Sequence, residues 1–206
     1  GLKILDLADP LAPRTLGGLV PSAATRSAAI SGWLAFPADG PGGLRVVDPS
    51  DPKSIRQLGV LDTVQAAHAV AIQGQLAYVA VADALSAGLL VVDVSDPAHP
   101  RELGAVPLAG SALGVAVAGN VAYVADGPAG LQVIDVTDPS RPRVLTALLQ
   151  FAGDVLIQGS MALVAGPEAE RDSGVLVLDL TTPRTRPPTI TGLSRRSGLS
   201  RFSTDA

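Results

Sequence analysis

The chain has 206 residues, a formal net charge of −4 and no cysteine. Disulfide scaffolds, zinc–thiolate centres, iron–sulfur clusters and cysteine nucleophiles are therefore excluded, and the acidic balance argues against nucleic acid as a partner. Apolar residues make up 47% and aromatics only 3%, with 22 Gly and 17 Pro, a mixture that suits many short strands joined by tight turns.

The first segment, Gly1-Leu-Lys-Ile-Leu-Asp6, recurs down the chain. Its copies are Gly43-Leu-Arg-Val-Val-Asp48, Gly88-Leu-Leu-Val-Val-Asp93, Gly130-Leu-Gln-Val-Ile-Asp135 and Gly174-Val-Leu-Val-Leu-Asp179. The glycines lie 42, 45, 42 and 44 residues apart. A turn follows each copy, at Asp9-Pro10, Asp51-Pro52, Asp96-Pro97 and Asp138-Pro139, and degenerates to Thr182-Pro183 in the fifth. A second block keeps the same period. Two apolar runs flank Gly32-Trp33, Gly74-Gln75, Gly119-Asn120 and Gly159-Ser160, which is a hairpin signature.

Each period reads as four strands. In the fourth repeat they are A (Val115–Val117), B (Val121–Ala125), C (Leu131–Asp135) and D (Arg143–Leu148). Four short antiparallel strands in about 40–45 residues make one propeller blade, so the chain reads as all-β. The Leu-Val-Val-Asp and Leu-Gln-Val-Ile-Asp segments, with Val-Ser-Asp-Pro or Val-Thr-Asp-Pro after them, resemble the LVIVD-repeat β-propeller family. The likeness runs from Gly1 to about Pro183. Departures are local: Pro49 follows Asp48, Ile55 stands where Pro is usual, and the fifth repeat lacks Asp-Pro. The resemblance implies a bacterial or archaeal protein, often secreted or at the cell surface, and a module that binds protein or another surface component.

Repeats fill residues 1–191, with starts near 1, 43, 88, 130 and 174. The fourth strand of the fifth repeat stays open at Pro187-Pro188-Thr-Ile-Thr, and residues 192–206 are a degenerate tail or a closing hairpin. About 4.5–5 blades are present. The expectation is a fragment of a larger propeller, because the tail lacks the apolar strand that a closing blade buries. Exposed end sheets would then promote self-association. No apolar stretch suits a membrane span.

The recurring Asp6, Asp48, Asp93 and Asp135 read as turn builders, since a carboxylate three residues before Asp-Pro accepts the turn's free N–H groups. Asp39-Gly-Pro-Gly-Gly43 and Asp126-Gly-Pro-Ala-Gly130 read as turns too, because no helix follows either. His68 and His99 fall at different places in the repeat, so no shared metal site is expected, and no cofactor is implied. Positions that differ between blades are more informative. Six residues before the hairpin glycines stand Arg26, His68, Leu113 and Gly153; next come Ser27, Ala69, Gly114 and Asp154. Arg26, His68 and Asp154 are the candidate ligand-binding set at the axial mouth, against a reading as solvated loop ends. Glu168, Glu170 and Asp172, in the longest loop, are candidates for a cation or a basic partner, with Arg171 among them. Trp33 is a candidate anchor.

Two functions follow. The first is a non-catalytic binding or scaffold propeller, secreted or at the cell surface. The alternative is a lactonase-like propeller hydrolase with a metal in the channel, for which His68 and Asp154 are the groups at the mouth and Arg26 the oxyanion-binding cation.

Overall fold

The computed structural model describes residues 1–20, 24–148, 151–166, 174–180 and 189–194. Among them every regular element is a strand. The first sheet has two, β1 (Leu2–Asp6) and β2 (Arg14–Leu19). The second contains β3 (Ser27–Ser31), β4 (Leu34–Ala38), β5 (Leu44–Asp48) and β6 (Arg56–Leu61). The third contains β7 (Ala66–Gln73), β8 (Leu76–Ala82), β9 (Ala87–Asp93) and β10 (Arg101–Leu108). The fourth contains β11 (Gly114–Ala118), β12 (Val121–Ala125), β13 (Leu131–Asp135) and β14 (Arg143–Leu148). The fifth contains β15 (Asp154–Gln158), β16 (Met161–Ala165), β17 (Val175–Asp179) and β18 (Thr189–Ser194). Each four-stranded sheet is an antiparallel meander in chain order, which is the blade that the repeat period predicts. β18 settles the strand left open by the sequence, and it runs across residue 191.

Local chemistry explains the strands. Gly32, Gly74, Gly119 and Gly159 have φ of 59°, 62°, 58° and 60°. Each is the first central residue of its hairpin turn, where a type II′ turn needs positive φ. Pro37 has no N–H to give, and the β4–β5 ladder keeps only Ala35↔Val47 and Ala38↔Leu44.

Packing explains the composition. The innermost strands of successive sheets lie side by side: β3 with β7, β7 with β11, and β11 with β15. The core is layered between sheets. Phe36, Leu44 and Val46 of the second meet Val79, Val81 and Val92 of the third. Tyr78, Leu89 and Val91 of the third meet Val124 and Ile134 of the fourth. Tyr123 and Leu131 of the fourth meet Val164 and Leu178 of the fifth. In the third and fourth sheets, which have a neighbour on each side, the β8 and β12 strands are buried on both faces, and they read as unbroken apolar runs. Many of those residues are Ala, which lets neighbouring sheets approach closely.

Candidate functional site

The variable loop ends sit where the innermost strands begin. Arg26 stands just before β3, and its backbone N–H donates to the Ala38 carbonyl at 2.9 Å. The loop after β4 then reaches across to the next sheet. Gly40 and Ala67 exchange two backbone hydrogen bonds, Gly40 N–H to Ala67 O at 3.1 Å and Ala67 N–H to Gly40 O at 2.8 Å. Gly127 and Ala152 repeat this clamp at 2.9 and 3.0 Å between the fourth and fifth sheets.

The first clamp places His68. In the β7–β8 ladder Ala67 pairs with Val81 and Ala69 with Ala80, so His68 is an extra residue in a bulge. A bulge redirects its side chain out of the regular alternation. Arg26 lies on the same clamp, its Nε 3.9 Å from where a Cβ on Gly40 would stand. Burial, and secondarily the Arg26 charge, push the His68 pKa below its ordinary 6.5. The imidazole is therefore neutral at pH 7 beside an exposed guanidinium. Neither side chain has a hydrogen-bond partner among the described residues.

Asp154 belongs to a different contact. Its Oδ1 lies 2.4 Å from where a Cβ on Gly114 would stand, and it accepts the Val155 N–H at 2.8 Å. The bare glycine in β11 makes room for it. The structure thus brings Arg26 to His68 and Asp154 to Gly114, with no hydrogen bond between the two groups among the described residues. Glu168, Glu170 and Asp172 lie outside the described residues. His99 sits in the turn between β9 and β10, its Nδ1 2.8 Å from Asp96 Oδ2. Among the described residues no three His, Asp or Glu side chains cluster as metal ligands would.

The recurring carboxylates are engaged in the scaffold. Asp6, Asp48, Asp93 and Asp135 each accept the N–H two residues on, from Ala8, Ser50, Ser95 and Thr137, at 2.9 Å. Three of them also pair with an arginine eight residues later: Arg56–Asp48 at 2.5 Å, and Arg101–Asp93 and Arg143–Asp135 at 2.8 Å. The neighbouring Ser50, Ser95 and Thr137 bonds, then the arginines, hold these carboxyls down at about 2.

Two buried carboxylates escaped the sequence reading. Asp39 and Asp126 are fully inaccessible. Asp39 takes Thr25 Oγ1 at 3.0 Å and Arg45 Nε at 2.6 Å. Asp126 takes the N–H groups of Gly110 and Ala112 at 3.0 and 2.9 Å, and burial pushes its pKa up. The available signal was an Asp at the same step of the repeat in both copies, immediately after an apolar strand.

A family model described as LVIVD repeat matches residues 23–63, 66–107 and 109–147, more than half of the chain. The chain belongs to the LVIVD repeat family. No functionally curated protein matches it. Among solved structures it is similar to the computationally designed Ika8 protein, with a TM-score of 0.61, 13% identity and 82% of this chain covered. It spans half (50%) of the length of that Ika8 chain. The designed Ika4 protein gives a TM-score of 0.59 at 13% identity, covering 81% of this chain and 98% of that one. A chain from a nidogen/laminin complex gives 0.63 at 17% identity, covering 82% of this LVIVD chain and 64% of that one. These likenesses show the propeller fold.

Proposed function

We propose that this LVIVD chain is a non-catalytic binding propeller, a protein-interaction module of a secreted or cell-surface protein. Its partner meets the face around Arg26, His68 and Asp154. One observation carries the reading: the carboxylates that recur from blade to blade already hold up the turns and loops they belong to. Asp48, Asp93 and Asp135 staple turns, while Asp39 and Asp126 staple loops. What remains is a rim of loop ends that changes chemistry from sheet to sheet: cation, neutral imidazole, Leu113, carboxylate. Such a rim suits reading a surface, with rigid sheets behind it. The neighbour from the nidogen/laminin complex supports a protein as the ligand class. Trp33, 59% exposed, offers an aromatic anchor elsewhere on the second sheet. The acidic Glu168, Glu170 and Asp172 offer a contact for a basic partner or a cation.

The test has two arms. Extracellular proteins are presented to immobilised chain, and a partner retained by the native chain is expected to be lost by a folded Arg26→Ala, His68→Ala double variant. A panel of lactones and activated esters is expected to give no turnover. Hydrolysis that disappears with His68→Ala would overturn the proposal in favour of a lactonase-like enzyme.

A further inference from the structure

We propose that Ala109 to Leu113, the segment leading into β11, is a movable lip on the binding face, latched by Asp126 and pivoting at Ala112. The proposal rests on the binding role of the loop face and adds a division within it. The entries to β7 and β15 are fixed, and the entry to β11 moves.

The fixed entries show what the lip lacks. Ala67 and Ala152 each stand seven residues before a hairpin glycine, Gly74 or Gly159. Each exchanges two backbone hydrogen bonds with a glycine of the preceding sheet, Gly40 or Gly127. Those two glycines stand eight residues after their own hairpin glycines, Gly32 and Gly119. In the third sheet the eighth residue after Gly74 is Ala82, which still lies inside the ladder between Ala66 and Ala87. The β8–β9 hairpin is longer than its counterparts: Gly88 lies 14 positions after Gly74, whereas Gly43 and Gly130 lie 11 after Gly32 and Gly119. Its turn therefore stands beyond the level of the clamp. Asp83 closes that turn on itself, its Oδ1 accepting the Leu85 and Ser86 N–H groups at 2.8 Å. Ala112, seven residues before Gly119, has no clamp to the third sheet among the described residues.

The segment hangs on its own sheet instead. Gly110 N–H donates to Asp126 Oδ2 at 3.0 Å, and Ala112 N–H to Asp126 Oδ1 at 2.9 Å. Ser111 N–H, between them, donates to the Asp126 carbonyl at 3.3 Å. One residue holds three successive amides, so one residue can release them. Leu113 N–H, bonded to the Ala125 carbonyl at 2.7 Å, marks where the segment joins the sheet.

Three costs are stored in the latched state. Ala112 has a φ of 39° and is the one non-glycine residue with positive φ among the described residues. An L-residue avoids that conformation. The Ala112 carbonyl accepts no hydrogen bond among the described residues, although the residue is wholly buried. In the clamped entries the same carbonyl accepts a glycine N–H. Asp126, finally, is wholly buried without a cation. Six residues after Asp39 stands Arg45, its ion-pair partner, whereas six residues after Asp126 stands Gln132, whose Nε2 donates to the Ala129 carbonyl. Burial accordingly pushes the Asp126 pKa up. Local opening is cheapest where such costs concentrate.

The lip carries one rim residue, Leu113, which is 38% exposed. His68 follows the clamped Ala67 directly, and Asp154 stands two residues after the clamped Ala152. A partner on this face meets two fixed contacts and one that adjusts to it.

Amide hydrogen exchange on the full chain, read residue by residue by NMR, tests this without a partner. After correction for intrinsic rates, the Gly110 and Ala112 N–H groups are expected to exchange about tenfold faster than those of Ala67 and Ala152. Asp126→Asn is expected to speed the lip about tenfold further, as loss of one charge-assisted hydrogen bond does, and to leave the clamped amides unchanged. Ala129→Gly with Gln132→Arg transplants the second-sheet arrangement, in which bare Gly42 makes room for Arg45. It is expected to slow the lip about tenfold by giving Asp126 its cation. Lip amides as protected as the clamped ones in the native chain would overturn the proposal. So would an Asp126→Asn chain in which all three entries speed up alike, since that is a loss of global stability. A folded transplant that leaves the lip unchanged would overturn it too. A lip that opens in a chain retaining no extracellular partner supports the lip and sinks the binding role alone. A partner retained by a chain whose lip stays closed does the reverse.

Discussion

Arg45 and Asp39 form an ion pair inside the second sheet, with Nε 2.6 Å from Oδ2 and the carboxylate wholly shielded from water. The pair ties the start of β5 to the loop after β4, the loop whose Gly40 clamps Ala67 and so sets the His68 bulge. Thr25 and Gln57 extend the network, through Thr25 Oγ1 to Asp39 and Arg45 Nη1 to Gln57 Oε1. Removing one partner leaves a charge buried without compensation. Arg45→Leu is expected to destabilise the chain by about 3–5 kcal/mol, whereas Arg45→Leu with Asp39→Leu recovers a large part of that loss. Urea unfolding of the two variants checks this. Equal destabilisation of both would show that the pair is not what matters at this position.

Glycines that face a neighbouring backbone and glycines that hold a turn predict a second contrast. Gly59→Ala drives a methyl group into the Pro97 and Ala98 carbonyl oxygens, both backbone atoms that cannot swing away. The expected cost is about 1–3 kcal/mol by overpacking. Gly119→Ala meets nothing within 4 Å, but the residue must hold φ near 58°. Its expected cost is about 1–2 kcal/mol, from left-handed backbone alone. Asn suits that conformation, so Gly119→Asn is expected to recover stability relative to Gly119→Ala. Gly59→Asn is not expected to recover any, because its obstacle is space. Thermal melts of the four variants separate the two causes.

How much of this was legible in the sequence depends on whether a feature repeats. Strand positions were, because the period fixes them: the four strands predicted in the fourth repeat coincide with β11–β14 to within a residue. The turn role of Asp93 and Asp135 was legible for the same reason. The row of loop ends was legible as a row, yet its pairing was not. Spacing puts Arg26, His68 and Asp154 at one end of the innermost strands, but the bulge at His68 and the bare Gly114 decide where each side chain goes. The close backbone approaches at Gly17, Gly59 and Gly104 needed a spatial step. Arg-x-Leu-Gly recurs at Arg14, Arg56 and Arg101, but nothing in one strand reveals that its glycine faces a turn 35 to 38 residues further on. Asp39 and Asp126 were read as turn residues, because burial of a carboxylate depends on partners that differ: an arginine in one sheet, loop N–H groups in the other.

Asp48, Asp93 and Asp135 titrate at about 2 in the folded chain, below the ordinary 3.8. The unfolded chain takes up their protons first, so their contribution is complete above about pH 4 and is lost as the pH falls towards 2. Asp126 opposes them. Its pKa is raised by burial, so its contribution is largest when protonated and declines as the pH rises through its folded value. Asp93→Asn is therefore expected to flatten the fall in melting temperature between pH 4 and 2. Asp126→Asn is expected to lower stability at pH 7 by about 1–3 kcal/mol, because an amide keeps one oxygen and turns its NH2 donor against the N–H of either Gly110 or Ala112. Melting curves from pH 2 to 7 distinguish these outcomes. An unchanged acid limb in Asp93→Asn would sink the assignment of that limb to the turn carboxylates.

His68 gives stability a second slope, nearer neutrality. Its folded pKa lies below 6.5, with burial the larger cause and the Arg26 charge the smaller. The unfolded chain binds the proton more readily, so stability is full above the unfolded pKa and declines as the pH falls below 6.5. Arg26→Gln removes the charge and leaves the burial. It is expected to raise the His68 pKa part of the way to 6.5 and to shallow the slope without abolishing it. His68→Gln is expected to remove the slope. An NMR titration of the His68 ring in the native and Arg26→Gln chains measures the shift directly. A His68 pKa unmoved by Arg26→Gln would mean that the guanidinium is too distant to be felt, and the two residues would no longer form one element of the binding face.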